Sequence, residues 1–126
     1  IDRDPRDIYF FAKNSPLIKG NNVSQVVLGN STEDFIKRFK IFHQNNTIYN
    51  PNILRINFEE FILSHKKTII KLKEFLNCNF IKSESKSKFD LNKSSENIFL
   101  WKKKENLIYE NAIGQIESDL RSFCYL

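Results

Sequence analysis

The sequence predicts an α/β fold with parallel strands, and three observations carry that expectation. Two short strand-like segments, residues 1–3 and 53–56, each run straight into a helix signal. Helical stretches lie between them, and a helical crossover returns the chain in the same direction, which makes the strands parallel. The chain has 126 residues, 40% apolar and 28% charged, which suits one packed domain, or part of one, over 1–126 and excludes a disordered chain.

The first strand, Ile1-Asp2-Arg3, reads as the tail of a longer one. Asp4-Pro5-Arg6-Asp7 has the chemistry of a helix start: Asp4 can accept from the free amides, Pro5 fits the first helical position, and Asp7 stands where a capping-box acid belongs. The helix then spans 5–13 with Ile8, Phe11 and Ala12 on one face, and Asn14-Ser15-Pro16 ends it. Residues 14–30 hold two of the three glycines and many Asn and Ser, so they read as a long loop with a brief extended piece at 23–28. Ser31-Thr32-Glu33-Asp34 caps a second helix, in which Phe35, Phe39 and Phe42 recur at helical spacing to Gln44. A turn is expected over 45–51.

Ile53, Leu54, Arg55 and Ile56 form a short run bounded by Pro51-Asn52 and Asn57, the mark of a buried strand. One or two helical turns follow over 58–63. Ser64 then caps a helix to Leu76, with Ile69, Leu72, Phe75 and Leu76 facing inward. Residues 82–93 are dominated by Lys and Ser and read as a mobile connection. A last helix over 105–123 carries the stripe Tyr109, Ile113, Ile116, Leu120 and Phe123. Two strands cannot cover four helices, so the remaining strands are expected upstream of Ile1, in keeping with a chain that contains no methionine.

Charge and composition exclude several functions. The net charge of +5 comes from twenty basic against fifteen acidic residues, and the basic clusters, Lys66-Lys67 and Lys102-Lys103-Lys104, are short solvated faces rather than a nucleic-acid stripe. No run of eighteen apolar residues crosses a membrane. Cys78 and Cys124 share no metal-like spacing with His43 or His65, so no metal is expected and a reducing, cytoplasmic compartment is. Four N-x-[ST] matches, at Asn22, Asn30, Asn45 and Asn92, arise by chance in a chain this rich in Asn and Ser. His43 falls on the polar side of its helix. Glu59-Glu60 follows a strand and reads as fold support rather than an acid/base pair.

The strongest local signal is Arg3-Asp4-Pro5-Arg6-Asp7 at a strand-to-helix junction. Ligands of open parallel sheets bind beyond the carboxyl ends of strands, so Arg3, with its planar fork, is placed to anchor a phosphate. The alternative is that Arg3 and Arg6 only neutralise Asp4 and Asp7. Here the sequence resembles the sulfotransferases that use 3′-phosphoadenosine 5′-phosphosulfate (PAPS). The segment from Asp2 to Tyr9 is similar to the family's R-D-P-R-D motif. Asn52 to Phe61 is similar to its strand followed by Y-E-D-L, and Ile69 to Leu76 to the helix ending in E-F-L. Ser94-Ser95-Glu96-Asn97-Ile98-Phe99-Leu100-Trp101-Lys102 is similar to the late S-x-x-N-I-G-x-W-K segment of bacterial members.

The resemblance implies a P-loop NTPase-like three-layer sandwich with a parallel sheet, of which this chain is the C-terminal part and the N-terminal half is missing. It implies transfer of a sulfuryl group from PAPS to a hydroxyl acceptor, a carbohydrate or other small molecule, with no metal. Arg3 corresponds to the arginine that contacts the 3′-phosphate. The family's second ligand there is a serine eight positions later, where this chain has Phe11; Ser15 lies one turn further on. With Trp101 aligned, the family's R-K-G triplet falls at Ser94-Ser95-Glu96, whose two hydroxyls can donate to a phosphate, and Phe99 stands at the usual glycine. The donor-activating loop and the base lie upstream in the family, so no catalytic residue is expected here and the chain alone is expected to be inactive. Alternatives are a non-catalytic remnant of the same fold, suggested by Phe11, Glu96 and Phe99, and a nucleotide kinase, whose own phosphate loop would also lie upstream.

Overall fold

The computed structural model describes residues 1–14, 23–44, 50–78 and 89–125. Its helices are α1 (Pro5–Asn14), α2 (Val23–Leu28), α3 (Thr32–Gln44), α4 (Phe58–Leu63), α5 (His65–Leu76), α6 (Leu91–Ser95) and α7 (Glu110–Asp119), with 3₁₀ segments at Leu100–Lys102, Lys104–Tyr109 and Arg121–Phe123. The structure is 72% helical and holds no strand or sheet among the described residues, which overturns the expected α/β sandwich with a parallel sheet. What remains of strand pairing is one isolated parallel bridge between Asp2 and Asn57. There the Asp2 amide donates to the Ile56 carbonyl and the Phe58 amide to the Asp2 carbonyl, each at 2.8 Å. The physical reason lies in the flanks. Pro5 and the Asn57 cap start helices within a few residues of the bridge, which leaves no length for a ladder. Ile53 and Arg55 are exposed, so residues 53–56 are no buried strand; Ile56 alone of the four is buried.

Helix starts follow the expected chemistry in most places. Asp4 accepts from the Arg6 amide at 2.8 Å, and Ser31 accepts from the Asp34 amide at 3.2 Å. Asn57 accepts from the amides of Glu59 and Glu60 at 2.9 and 3.2 Å. Ser64, in contrast, makes no side-chain cap bond to α5. Residues 23–28 are helical rather than extended. Val27 and Leu28 pack against the core from α2, so tertiary burial outweighs the strand preference of valine. Gly29 ends that helix at φ +68, and a Cβ there would lie 2.5 Å from that of Asp34.

The core joins α1, α3 and α7. Phe10, Ile116 and Leu120 are completely buried, with Tyr9, Phe35, Ile36, Phe39, Leu100 and Ile113 around them. Burial of each large apolar side chain contributes about 1.5–3 kcal/mol. The α7 stripe was legible: Ile113, Ile116 and Leu120 are buried, and Tyr109 and Phe123 pack against them. That stretch is not one helix, however, because 3₁₀ turns flank α7 on both sides.

Other faces differ from expectation. On α1, Ala12 is buried and Ile8 packs against the core as expected, but Tyr9 and Phe10 are buried beside them and Phe11 is exposed. Phe42 is exposed, and Ile36 takes its place in the core. On α5, Phe75 and Leu76 are exposed and Thr68 is the buried residue, so that helix packs mainly on α4 rather than on the core. Asp90 caps α6 through the amides of Asn92 and Lys93, so residues 91–93 are helical rather than a mobile connection. Of the turn expected over 45–51, the described end at Asn50 and Pro51 is a turn, closed by the Ile53 amide on the Asn50 carbonyl; residues 45–49, Ser15, Asn22 and residues 82–88 lie outside the described residues.

Candidate functional site

The junction Arg3-Asp4-Pro5-Arg6-Asp7 is a buried corner into which three distant segments reach. Asp4, Arg6 and Asp7 are essentially inaccessible to solvent. Arg6 forks onto Asp4, with Nη2 at 2.7 Å from Oδ2 and Nε at 3.0 Å from Oδ1. It also donates to Glu117 at 3.1 Å and to the Tyr125 carbonyl at 2.7 Å. Its guanidinium lies 4.0 Å from the centroid of the Trp101 ring. Burial works against the Arg6 charge, but the hydrogen bond and charge of Asp4 outweigh it and leave its pKa raised. For Arg6 the alternative reading holds: it neutralises Asp4.

Asp7 does something the sequence reading missed. Instead of bonding back to the start of its own helix, it accepts from the Phe99 and Leu100 amides, both at 2.7 Å and more than ninety residues away. Burial raises the Asp7 pKa against the pull of the Phe99 amide and of Arg3. Glu59 is likewise fully buried and accepts from the Asp4 amide at 3.1 Å. Burial raises its pKa too, and its Oε2 has no hydrogen-bond partner among the described residues. Its contact with the start of α1 supports the fold, whereas Glu60 is half-buried and lines a mixed polar and apolar cavity of about 280 Å³ with Asp2, Arg3, Arg55 and Phe123.

Arg3 behaves differently from Arg6. It is half-buried, and no carboxylate lies within ion-pairing distance of it among the described residues. Its Nη2 donates to the Asn97 carbonyl, and its Nε is buried without a partner. The rings of Phe11 and Phe58 stand 5.1 and 5.2 Å from the guanidinium carbon. Desolvation lowers its pKa, and the charges of Asp7, Glu59 and Asp4 oppose that; an arginine stays protonated under such a shift.

Ser94 and Ser95, the other predicted site residues, stand in the same neighbourhood, at the end of α6 just before Asn97. Asn97 donates its amide to the Ser94 carbonyl at 3.1 Å. The structure thus brings Arg3 to the backbone three residues past Ser94 rather than to a serine hydroxyl. Ser95 is exposed, and its hydroxyl donates to the Asn92 carbonyl at 2.6 Å. Phe99 holds φ +56, a conformation that favours glycine. That is the position at which the resemblance expects one.

Neither histidine joins this corner. His43 is buried, not on a polar face: it stacks on Phe39 at 4.2 Å and packs against Phe123 at 5.0 Å, because it lies one turn after Phe39. Burial lowers its pKa. His65 packs against Phe61 and Phe89. A cavity of about 510 Å³ lies between α1, α2 and α3 with a largely apolar lining that includes Ile8, Val27 and Phe39. No group of three or more His, Cys, Asp and Glu gathers as a metal site among the described residues, and none of their helices is long and apolar enough to cross a membrane. No family model, curated protein or solved structure matches this chain.

Proposed function

We propose that the chain serves a PAPS-dependent sulfotransferase, and that its part is to hold the 3′-phosphate of the nucleotide at Arg3. One observation carries this reading. Arg3 has no carboxylate partner among the described residues, yet it lies against the turn that follows Ser94 and Ser95. Arg6 beside it is spent on Asp4, whereas Arg3 keeps N–H groups free of any acidic partner. A planar fork of that kind suits two oxygens of a phosphate.

The reading does not rest on a sheet. Three of the resembling segments also meet at this corner: the arginine motif, the Glu59 segment through Asp4, and the Ser94–Trp101 segment through Asp7 and Arg3. The positive φ at Phe99 supports the same alignment. Bound PAPS would supply the sulfuryl group, and the acceptor, a carbohydrate or another small hydroxyl compound, would take it on its oxygen. The residues of this chain contribute binding and orientation, and no catalytic residue is assigned among them.

The test is a calorimetric titration of the full natural chain with adenosine 3′,5′-bisphosphate. Arg3→Ala is expected to weaken binding by at least tenfold, since a hydrogen bond to a charged group contributes about 1.5–3 kcal/mol. Equal affinities for the two proteins would refute the assignment. Failure of the natural protein to bind the bisphosphate at all would favour a non-catalytic binding domain, the second reading, which Phe11 at the serine position motivates.

A further inference from the structure

Arg3 is held by an uncommon set of neighbours. A guanidinium carries five N–H donors, and here one of its nitrogens donates to a backbone carbonyl, that of Asn97. Its other close partners are two aromatic rings, Phe11 on α1 and Phe58 at the start of α4, at nearly equal distances of 5.1 and 5.2 Å. The rings attract the cation through their π faces but accept none of its in-plane N–H bonds in the way a carboxylate would. They fix where the fork sits without consuming its donors. An aspartate or glutamate in either place would fix it equally well and fill it.

We propose that Phe11 and Phe58 are positioning residues that pre-orient Arg3 for a tetrahedral oxyanion. The inference rests on the phosphate reading of Arg3 and goes beyond it. The two aromatic residues reach the anion only through Arg3, so their effect is confined to ligands that carry the group Arg3 binds. Phe11 is 39% exposed, so its replacement leaves the buried core of α1 intact.

The experiment compares two probes on the full natural chain: adenosine 3′,5′-bisphosphate, and adenosine 5′-monophosphate, which lacks the 3′-phosphate. Phe11→Leu keeps an apolar side chain and removes the π face. It is expected to weaken bisphosphate binding about five- to tenfold and to leave the monophosphate unchanged, with Phe11→Tyr restoring the natural affinity. Phe58→Leu is expected to give the same pattern, and thermal melting of each variant verifies that it is folded. If both Leu variants bind the bisphosphate as the natural protein does while Arg3→Ala does not, the positioning role is overturned and the phosphate reading stands. If Leu variants weaken both probes equally, the rings serve the fold or the adenosine and the inference also fails. If Arg3→Ala itself binds normally, the phosphate reading falls, and this inference falls with it.

Discussion

Replacement of Asp7 by asparagine tests the corner most directly. The carboxylate is fully buried, and its two oxygens each accept from a separate amide, those of Phe99 and Leu100, at 2.7 Å. Hydrogen bonds to a charged acceptor contribute about 1.5–3 kcal/mol each. Asparagine keeps one acceptor and turns an NH₂ toward the other amide, so a buried donor loses its partner at about 1–3 kcal/mol. Relief of the buried charge, which is what raises the Asp7 pKa, returns part of this. The net expectation for Asp7→Asn is a loss of about 2–4 kcal/mol, read by urea unfolding at pH 7. Hydrogen exchange locates the effect: the Phe99 and Leu100 amides should exchange faster, while the core amides of α7 follow only global stability. A change below about 0.5 kcal/mol, within the ordinary range of surface substitutions, with both amides still protected, would refute the claim that Asp7 holds the Phe99 segment.

Arg6→Ala leaves Asp4 buried and unpaired and should lose about 3–5 kcal/mol; a loss below about 1 kcal/mol in the same unfolding assay would contradict the pairing. Glu59→Gln keeps the acceptor for the Asp4 amide and removes a charge whose folded pKa lies above 4.5. The stability from that raised pKa is full below the unfolded value and lost as pH rises through the folded one. The melting temperature of Glu59→Gln should therefore vary less with pH above 4.5 than that of the natural protein, and parallel curves would sink the idea. His43 has the opposite sign: its pKa is depressed by burial, so stability present above pH 6.5 is lost as pH falls. His43→Phe should remove that loss, as monitored by circular dichroism between pH 7 and 5. Phe99→Gly should unfold no more easily than the natural protein, whereas Phe99→Val should be clearly destabilised at φ +56; equal melting temperatures for the two would argue against strain at this position.

What could be read from the sequence is what depends on neighbours a few residues apart. The Asp4 cap, the Ser31 cap and the α7 stripe follow from local hydrogen bonding and from the 3.6-residue period, and all three appear as expected. Residues 53–56 misled because a short apolar run looks the same whether or not a partner strand lies beside it, and exposure of Ile53 shows that here it is not enclosed. Phe11 and Phe42 misled for a related reason: an apolar residue at helical spacing need not face the core when a neighbour on the helix already does, Phe10 and Ala12 beside Phe11 and His43 beside Phe42. At the site, the prominence of Arg3 was legible from the motif. The partner of Asp7 was not, since nothing local distinguishes an acid that bonds its own helix from one that bonds amides ninety residues away.

The side-chain bonds of the corner also bear on how the chain comes together. Asp4 accepts from the Tyr125 amide across 121 residues, and Asp7 from Phe99 across 92. Closing loops of that size precedes any reward from the bonds they enable. Turns of helix need no such closure, whereas the corner, like the packing of α1 on α7, does, so the corner forms after the local helical turns. Weakening it should then hasten unfolding more than it slows folding, and the lifetime of the folded state, rather than the speed of reaching it, is what Asp4 and Asp7 control.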